Sequence, residues 1–363
     1  MDRTPLGARL PDFPWDTIAN VKAKAAAHPD GIIDLSVGTP VDAVDPAIQL
    51  ALAENAAAPG YPQTMGTPEL RDAIASALER RYNAAGLGPA SVLPVVGTKE
   101  AIAWLPTTLG LRGGTVVIPE VAYPTYEVGA LIAGCGIARS DEPVEGASLV
   151  FINSPSNPSG RVLGVDELRR WVEFSRETGA IIASDECYMG LGWSAEPVSI
   201  LDPRVTDGDN SNLIAIHSLS KTSNMASYRA GFLAGDEALI QELLLVRKHA
   251  GLMVPGPIQH AMVAALLDDT HEEIQRLTYA HRRAVLLKAL IGAGFRVDDS
   301  EAGLYLWARR DGADARQSLD WLAQRGILAA PGDFYGPAGA NHVRIGLTAT
   351  DDRIAAAARR LAE

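Results

Sequence analysis

The stretch HSLSKTSNMASYRAG (217–231) decides the fold, because it joins two apolar runs, NLIAIHSLS (212–220) and AGFLAG (230–235). Strands that are covered on both faces are apolar almost throughout, so both runs are predicted strands. Helical patterns lie between most such runs, and VDELRRWVEFSRETG (165–179) is one, with an acidic start and a glycine stop. The alternation predicts the α/β class, with a mostly parallel central sheet and helices on both faces. Three further predicted strands precede these two: TVVIP (115–119), ASLVFIN (147–153) and GAIIASDE (179–186).

The pattern changes after about residue 240. A long helical region is followed by three separate strand candidates, with another helix among them: GLYLWARR (303–310), GILAAP (326–331) and HVRIGLT (342–348). This order predicts a smaller α+β domain. We expect residues 45–245 to form the large domain and 246–363 the small C-terminal domain, which residues 1–44 join.

Composition excludes several classes of function. The 363-residue chain has a net charge of -12 with 47% hydrophobic residues, which is typical of a soluble protein and unfavourable for binding nucleic acid. Two cysteines are too few for a disulfide framework, and no apolar run is long enough to span a membrane. The N-terminus lacks a signal-peptide pattern, so we expect a cytoplasmic location. The seven histidines show no metal-ligand spacing, so no metal site is expected.

Lys221 and Asp185 are the residues whose placement first indicates chemistry. Each follows a predicted buried strand, and ligands bind at the carboxyl ends of such strands. The two residues either form a structural ion pair or belong to a pyridoxal 5′-phosphate (PLP) site, where lysine carries the cofactor and aspartate pairs the pyridinium nitrogen. Asn157 in NSPSNPSG and Tyr188 favour the second interpretation, because either side chain can hydrogen-bond the ring hydroxyl.

Donors for a phosphate group occur in three places. VVGTKEAIAWL (95–105) is a glycine turn that opens a helix, which directs backbone N–H groups and the helix dipole at one point. Most helix starts of this form bind nothing, and Pro94 weakens the strand prediction before it. Ser218 and Ser220 add hydroxyl groups, and Arg229 adds a guanidinium.

Three further residues have two interpretations each. Tyr123 in AYPTY either stacks on a pyridine ring or packs in the core. Arg344 lies in an apolar strand pattern, where it either binds a substrate carboxylate or places its charge in water at a strand edge. Cys187 has no nearby histidine that would mark it as a nucleophile, so we interpret it as a packing residue.

Taken together, these motifs closely resemble those of the class I/II aminotransferases of PLP fold type I. The resemblance covers nearly the whole chain and rests on GTKEA, AYPTY, NSPSNPSG, SDECY, SLSKTSNMASYRAG and HVRIGLT. It implies PLP as cofactor, Lys221, Asp185 and Tyr188 as catalytic residues, and Asn157 and Arg344 as substrate-binding residues. The cofactor-binding residues that it implies are Gly97, Thr98, Lys99, Tyr123, Asn157, Asp185, Tyr188, Ser218, Ser220, Lys221 and Arg229.

Two positions gain meaning only through the resemblance. Gly38 in LSVGTP matches a glycine whose backbone meets the substrate carboxylate. Tyr61 in GYPQTMG matches a tyrosine that reaches the cofactor phosphate of the neighbouring subunit. A homodimer with shared active sites is therefore implied.

Within the family, the chain most resembles succinyldiaminopimelate aminotransferase of the actinobacterial type. Those enzymes move an amino group between glutamate and N-succinyl-2-amino-6-oxopimelate in diaminopimelate and lysine biosynthesis. Another substrate, a PLP β-lyase of the same fold, and a non-catalytic regulatory module are the alternatives. For the distal substrate carboxylate, the sequence offers Arg3, Arg9 and Lys248 as cationic partners.

Overall fold

The computed structural model describes residues 5–363 of the protein. Its strands and helices alternate through the first two thirds of the chain, as the sequence predicts. The strands are β1 (Ile33–Asp34), β2 (Val92–Val96), β3 (Thr115–Ile118), β4 (Gly136–Arg139), β5 (Ala147–Asn153), β6 (Ile181–Asp185), β7 (Leu213–Ser218), β8 (Ala230–Gly235), β9 (Phe295–Asp298), β10 (Tyr305–Arg310), β11 (Ile327–Leu328), β12 (Ala330–Pro331) and β13 (His342–Gly346).

The α-helices cover both faces of the main sheet and one side of the smaller one. None of those within residues 5–363 is both long and apolar enough to cross a membrane. They are α1 (Ala19–Ala26), α2 (Pro46–Glu54), α3 (Pro68–Tyr82), α4 (Thr98–Thr108), α5 (Thr125–Ala133), α6 (Val165–Thr178), α7 (Pro203–Thr206), α8 (Glu237–Ala250), α9 (Gly256–Leu267), α10 (Thr270–Gly292), α11 (Ala315–Gln324) and α12 (Asp351–Leu361).

The main sheet has seven strands in the order β2-β8-β7-β6-β5-β3-β4. Strand β8 is antiparallel to both of its neighbours, and all the other adjacent pairs are parallel. The predicted, mostly parallel α/β sheet is therefore confirmed. Pro94 does lie in a strand, but β2 is at the sheet edge, where a missing backbone N–H is tolerated.

Helix α6 shows why the predicted elements form where they do. Leu168, Trp171, Val172 and Ser175 are buried at i, i+3, i+4 and i+7, so one stripe of the helix packs on the sheet. Gly179 ends the helix in the left-handed conformation, with φ of 76°.

The smaller sheet is antiparallel, with the order β12-β13-β10-β9. Strand β1 pairs with β11 in a separate two-stranded sheet, which ties the N-terminal segment to the C-terminal part of the chain. Three strands, β1, β4 and β9, lie outside the sequence-predicted runs because all three are short and mix apolar with charged residues. The single run GILAAP is divided at Ala329 into β11 and β12, which belong to different sheets.

Three large hydrophobic clusters, and a small one around Trp307, fill the space around these sheets. One includes Leu78, Val150 and Ile182, and a second includes Leu105 and Phe151. The third joins N-terminal residues with the C-terminal part of the chain. Its members include Ile18, Ile33, Leu35, Leu286, Leu306 and Leu319. The domain boundaries at residues 44 and 245 stay a prediction that is consistent with this packing.

Candidate active site

A cavity of about 380 Å³ lies where β6 and β7 end and where α4 begins. Strand β6 ends at Asp185, and β7 ends at Ser218 just before the loop that carries Lys221. The chain places both residues in one crevice because adjacent parallel strands end at the same edge of the sheet. The sequence-predicted residues that line the cavity are Gly38, Thr98, Lys99, Tyr123, Asn157, Asp185, Tyr188, Ser218, Ser220, Lys221, Arg229 and Arg344.

Lys221 points its amino group at the N-terminal segment. Its Nζ donates a hydrogen bond to the carbonyl oxygen of Gly38. Burial lowers the pKa of Lys221, and the nearby cations Arg344 and Arg229 act in the same direction. A lysine with a lowered pKa is neutral more often, which is the state in which an amine attacks a carbonyl carbon.

Asp185 lies at the bottom of the cavity and is 5% exposed. Its carboxylate accepts hydrogen bonds from the Tyr126 hydroxyl at 2.7 Å and the Cys187 backbone N–H at 3.2 Å. Burial raises the pKa of Asp185, although these two hydrogen bonds oppose the shift. Because Asp185 is held by these groups while Lys221 binds Gly38, the two do not form the structural ion pair that the sequence left open.

The predicted phosphate donors converge at the start of α4. Gly97 has φ of 75° and lies against Arg229, so a Cβ at this position would collide with the guanidinium. Gly97 therefore lies behind the cavity wall rather than in it. The Arg229 Nη1 donates to the Ala226 carbonyl at 2.9 Å. Thr98 starts the helix, and Ser218 and Ser220 line the same cavity, so hydroxyl, backbone and guanidinium donors are all available to one anion.

Arg344 is 3% exposed, so the strand-edge interpretation is wrong. Its Nη1 donates to Asn157 Oδ1 at 2.9 Å, and its Nη2 donates to the Ser36 carbonyl at 2.6 Å. The guanidinium also lies 3.9 Å from the centre of the Tyr305 ring. These contacts fix a planar cation in the wall of the cavity, where it can bind a carboxylate.

Two tyrosines that sequence reasoning missed support the site. Tyr126 is fully buried and donates to Asp185. The Tyr305 hydroxyl lies 3.3 Å from that of Tyr188 and occupies the space that a Cβ on Gly38 would need. Burial alone would raise the pKa of Tyr305, but the Arg344 and Lys221 cations outweigh it, so the pKa is lowered.

Tyr123 and Cys187, which the sequence also allowed as packing residues, both line the cavity. Tyr123 lines the cavity and meets the Tyr126 ring edge-on at 5.7 Å, and burial raises its pKa to about 12. Cys187 also lines the cavity, so the packing interpretation was incomplete. Its thiol donates to Thr98 Oγ1 at 3.4 Å. Burial raises the pKa of Cys187 well above its usual range, which disfavours a nucleophilic thiolate.

Several predicted residues lie away from the cavity. Tyr61 is 97% exposed, Arg9 lines a separate hollow beside Thr107, and Lys248 is exposed on α8. Arg3 lies outside the described residues. No group of three metal-ligating side chains is found among residues 5–363. The lining residues that the sequence did not suggest as site residues are Phe13, Trp15, Val37, Thr39, Ile102, Ala226 and Tyr305.

Comparison with known proteins identifies the family. The model of the aminotransferase class I and II family matches residues 30–361. The chain belongs to this family. It is 63% identical to a probable aminotransferase of Mycobacterium tuberculosis, over 98% of this chain and 86% of that protein. It is 55% identical to the 4-dedimethylamino-4-oxo-anhydrotetracycline transaminase OxyQ of Streptomyces rimosus, over 97% of this chain and 99% of that protein.

Solved structures agree with this assignment. An aminotransferase of Neisseria meningitidis has a TM-score of 0.90 at 30% identity, covering 99% of both chains. A probable N-succinyldiaminopimelate aminotransferase of Thermus thermophilus has a TM-score of 0.85 at 28% identity, covering 96% of this chain and 99% of that one. The fold is therefore PLP fold type I.

The family and fold are PLP-dependent, so PLP is the cofactor of this aminotransferase. The residues present fit the group. The donors around Arg229 and Thr98 would suit its phosphate, and the buried carboxylate of Asp185 would suit its ring nitrogen. Lys221 would supply the amine that holds the aldehyde.

Proposed function

We propose that this aminotransferase moves an amino group between glutamate and N-succinyl-2-amino-6-oxopimelate, a step of diaminopimelate and lysine biosynthesis. The observation that carries the proposal is the single cavity that holds Lys221, Asp185 and the buried Arg344. Lys221 offers an amine for the cofactor, Asp185 offers a carboxylate for the cofactor's ring nitrogen, and Arg344 offers a guanidinium for the substrate carboxylate. The likeness to the Thermus enzyme and the sequence resemblance support the choice of acceptor.

The chain's own residues perform distinct tasks in this proposal. PLP, when bound, supplies the electron sink that makes the α-proton of the amino donor acidic. The Lys221 amine would hold the cofactor and would serve as the general base and acid for the α-proton. The Asp185 carboxylate would keep the ring nitrogen protonated. Asn157 and Tyr188 would hydrogen-bond the ring hydroxyl, and Tyr123 would pack against the ring.

Arg344 orients the substrate by its α-carboxylate. A guanidinium donates two parallel hydrogen bonds to a carboxylate, which sets the rotation of the substrate about its Cα. The backbone of Gly38 borders the same end of the cavity. Both substrates carry an α-carboxylate, so one set of contacts serves both half-reactions.

The distal carboxylate of a long acceptor needs a partner at the cavity mouth. Arg9 and Lys248 lie elsewhere in the described chain, whereas Lys99 lines the cavity, with its Nζ 5.9 Å from the centre of the Phe13 ring. We therefore assign the distal carboxylate to the side chain of Lys99, which leaves the backbone N–H of Lys99 for the cofactor phosphate. The Lys99→Met variant should raise KM for the succinylated acceptor and leave KM for a short acceptor such as pyruvate unchanged.

Aminotransferases of this family act on small amino and oxo acids and are typically homodimers. We propose that two copies of this chain share their active sites, with the exposed Tyr61 hydroxyl reaching the neighbouring cofactor phosphate. A cytoplasmic location remains part of the proposal. Tyr61→Phe should weaken cofactor binding without changing the oligomeric state, which sedimentation measures.

A second acceptor class is favoured by one observation. The mouth of the cavity is aromatic, because Phe13 and Trp15 contact each other at a ring distance of 5.6 Å and both line it. OxyQ, which is 55% identical, is named as a transaminase of a polycyclic ketone. An aromatic wall suits a flat, bulky ketone, so that class is the alternative acceptor.

A panel of acceptors with glutamate as donor tests the proposal. We expect kcat/KM to be highest for N-succinyl-2-amino-6-oxopimelate among oxo acids of different length and cyclic ketones. A higher value for a cyclic ketone would establish the alternative. Release of pyruvate and ammonia from cysteine or cystathionine at a comparable rate would indicate a β-lyase of the same fold, and a protein that binds no PLP would indicate a non-catalytic module.

A further inference from the structure

The segment Ser36–Ala43 forms one wall of the active-site cavity, through Val37, Gly38 and Thr39. Its first half is fastened to the region of β13. The Gly346 N–H donates to the Leu35 carbonyl at 2.7 Å just before the segment, and Thr348 Oγ1 donates to the Val37 carbonyl at 2.9 Å.

The second half of the segment is fastened to helix α10 through Asp42. Arg282 donates two hydrogen bonds to the Asp42 carboxylate, both at 2.7 Å, and a third to Asp351 at 2.7 Å. Gln275, two turns earlier on α10, donates from Nε2 to Asp42 Oδ2 at 2.9 Å. Arg282 is 2% exposed and Gln275 is 6% exposed, so both donors are buried, whereas Asp42 is partly exposed and Asp351 is exposed.

Gln275 also contacts the loop that carries Lys221. Its Oε1 accepts a hydrogen bond from Asn224 Nδ2 at 2.7 Å, and the same nitrogen donates to the Ala43 carbonyl at 3.3 Å. Asn224 lies three residues after Lys221 and has φ of 55°. One buried amide therefore bonds the cavity wall with its nitrogen and the lysine loop with its oxygen.

Together these contacts connect the loop that carries Lys221 to the segment Ser36–Ala43 in two places. One link is the hydrogen bond from Lys221 Nζ to the Gly38 carbonyl, and the other runs from Asn224 through Gln275 to Asp42. We infer that Gln275 is a positioning residue. It fixes the segment Ser36–Ala43, which forms one wall of the cavity, relative to the loop that carries Lys221.

The bonding pattern distinguishes this role from simple packing. A methionine fills nearly the same volume as glutamine, so Gln275→Met keeps the packing but removes both hydrogen bonds. Gln275→Glu keeps the acceptor for Asn224 but sets a carboxylate against Asp42. Adding Asp42→Asn reverses donor and acceptor between the two side chains and preserves their net charge. The new amide oxygen still accepts from Arg282, but one of the two Arg282 bonds is lost, so Asp42→Asn alone is measured as the reference.

The kinetic test uses glutamate as donor with whichever oxo acid the enzyme turns over, so it does not depend on the proposed acceptor. Loss of the Gln275 hydrogen bonds should raise KM for glutamate roughly three- to tenfold in Gln275→Met and in Gln275→Glu. This is less than the full contribution of a hydrogen bond to a charged carboxylate such as Asp42, because Gln275 acts on glutamate only through the segment. We expect kcat to change less than KM, because the side chains of Lys221 and Asp185 are themselves unchanged. The rise in KM in the double variant D42N/Q275E should be smaller than the product of the rises in Asp42→Asn and Gln275→Glu.

Hydrogen–deuterium exchange of the cofactor-loaded and cofactor-free protein gives a readout that is independent of activity. Exchange should rise in peptides covering residues 36–43 and 221–226 in both single Gln275 variants, and in the double variant it should rise by less than the effects of Asp42→Asn and Gln275→Glu combined. Gln241→Met is the matched control, because Gln241 donates one hydrogen bond to the Ala90 carbonyl at 2.9 Å in another part of the fold. It should leave KM and exchange in both peptides unchanged.

Asn224→Gly tests the same link without altering the core, because glycine accepts the positive φ of this position. It should reproduce the rise in KM and in exchange. The inference is overturned if Gln275→Met and Asn224→Gly leave both unchanged. It is also overturned if the losses of Asp42→Asn and Gln275→Glu simply add in D42N/Q275E, since the donor–acceptor reversal predicts that the double variant loses less than the sum.

Discussion

Arg344→Lys is the substitution that separates geometry from charge in this site. Lysine keeps the positive charge in the cavity wall but presents one nitrogen in place of a planar fork. In the structure the fork donates to Asn157 Oδ1 at 2.9 Å and to the Ser36 carbonyl at 2.6 Å while its plane lies 3.9 Å from the Tyr305 ring centre. A single ammonium cannot hold both acceptors and a substrate carboxylate together.

The expected loss follows from these contacts. A hydrogen bond that involves a charged group contributes about 1.5–3 kcal/mol, and losing one in the transition state lowers kcat/KM by that amount. Because each 1.4 kcal/mol is tenfold, the fall is roughly 10- to 150-fold. Both substrates carry the α-carboxylate, so kcat/KM for glutamate and for the oxo acid should fall together.

Stopped-flow half-reactions with each substrate measure the two values separately. The absorption spectrum of the cofactor in the free enzyme should change little, which shows that the Lys221 linkage is intact. Arg309→Lys on β10 is the matched control and should leave both half-reactions unchanged, because Arg309 pairs with Asp298 outside the cavity. A loss confined to one substrate would make Arg344 a side-chain specificity residue, and no loss would refute the carboxylate assignment.

Four further outcomes are expected. Lys221→Ala should abolish turnover and the adduct trapped by borohydride, and peptide mapping that finds the adduct on another lysine would reject the assignment. Because burial raises the pKa of Asp185 above its unfolded value, the folded chain binds more protons and stability falls as pH rises between the two values. Asp185→Asn should therefore raise the melting temperature of the cofactor-free protein at pH 7 and reduce turnover, and an unchanged melting profile from pH 4 to 8 would contradict this. Tyr126→Phe removes the 2.7 Å hydrogen bond to Asp185 and should lower kcat about tenfold, whereas full activity would show that the bond is dispensable. Gly97→Ala places a Cβ against the Arg229 guanidinium and should weaken PLP binding in a fluorescence titration, while unchanged affinity would exclude the phosphate assignment.

The strands that lie inside the main sheet were predictable because burial on both faces requires nearly continuous apolar residues. ASLVFIN matches β5 to the residue, and NLIAIHSLS contains β7. The short strands β4 and β9 carry charged residues and leave no such pattern. Their pairing depends on neighbouring strands that are distant in sequence, and only the tertiary structure shows it.

The site was predictable to the extent that it is built from strand ends. Asp185 and Lys221 follow buried strands, and their loops converge because the strands are parallel. Tyr126 and Tyr305 were missed because each reaches the site from an apolar segment in which an aromatic residue looks like core. Phe13 and Trp15 lie far from the motifs in sequence, so only the folded chain brings them to the cavity.

The most direct test of the central claim uses glutamate labelled with ¹⁵N at the amino group, incubated with the PLP-loaded enzyme and the best acceptor of the panel. The account predicts that ¹⁵N appears in the aminated acceptor in the same amount as 2-oxoglutarate is formed, and that Lys221→Ala yields neither product. Label that remains in glutamate, or that is released as ammonia, would contradict amino transfer through Lys221.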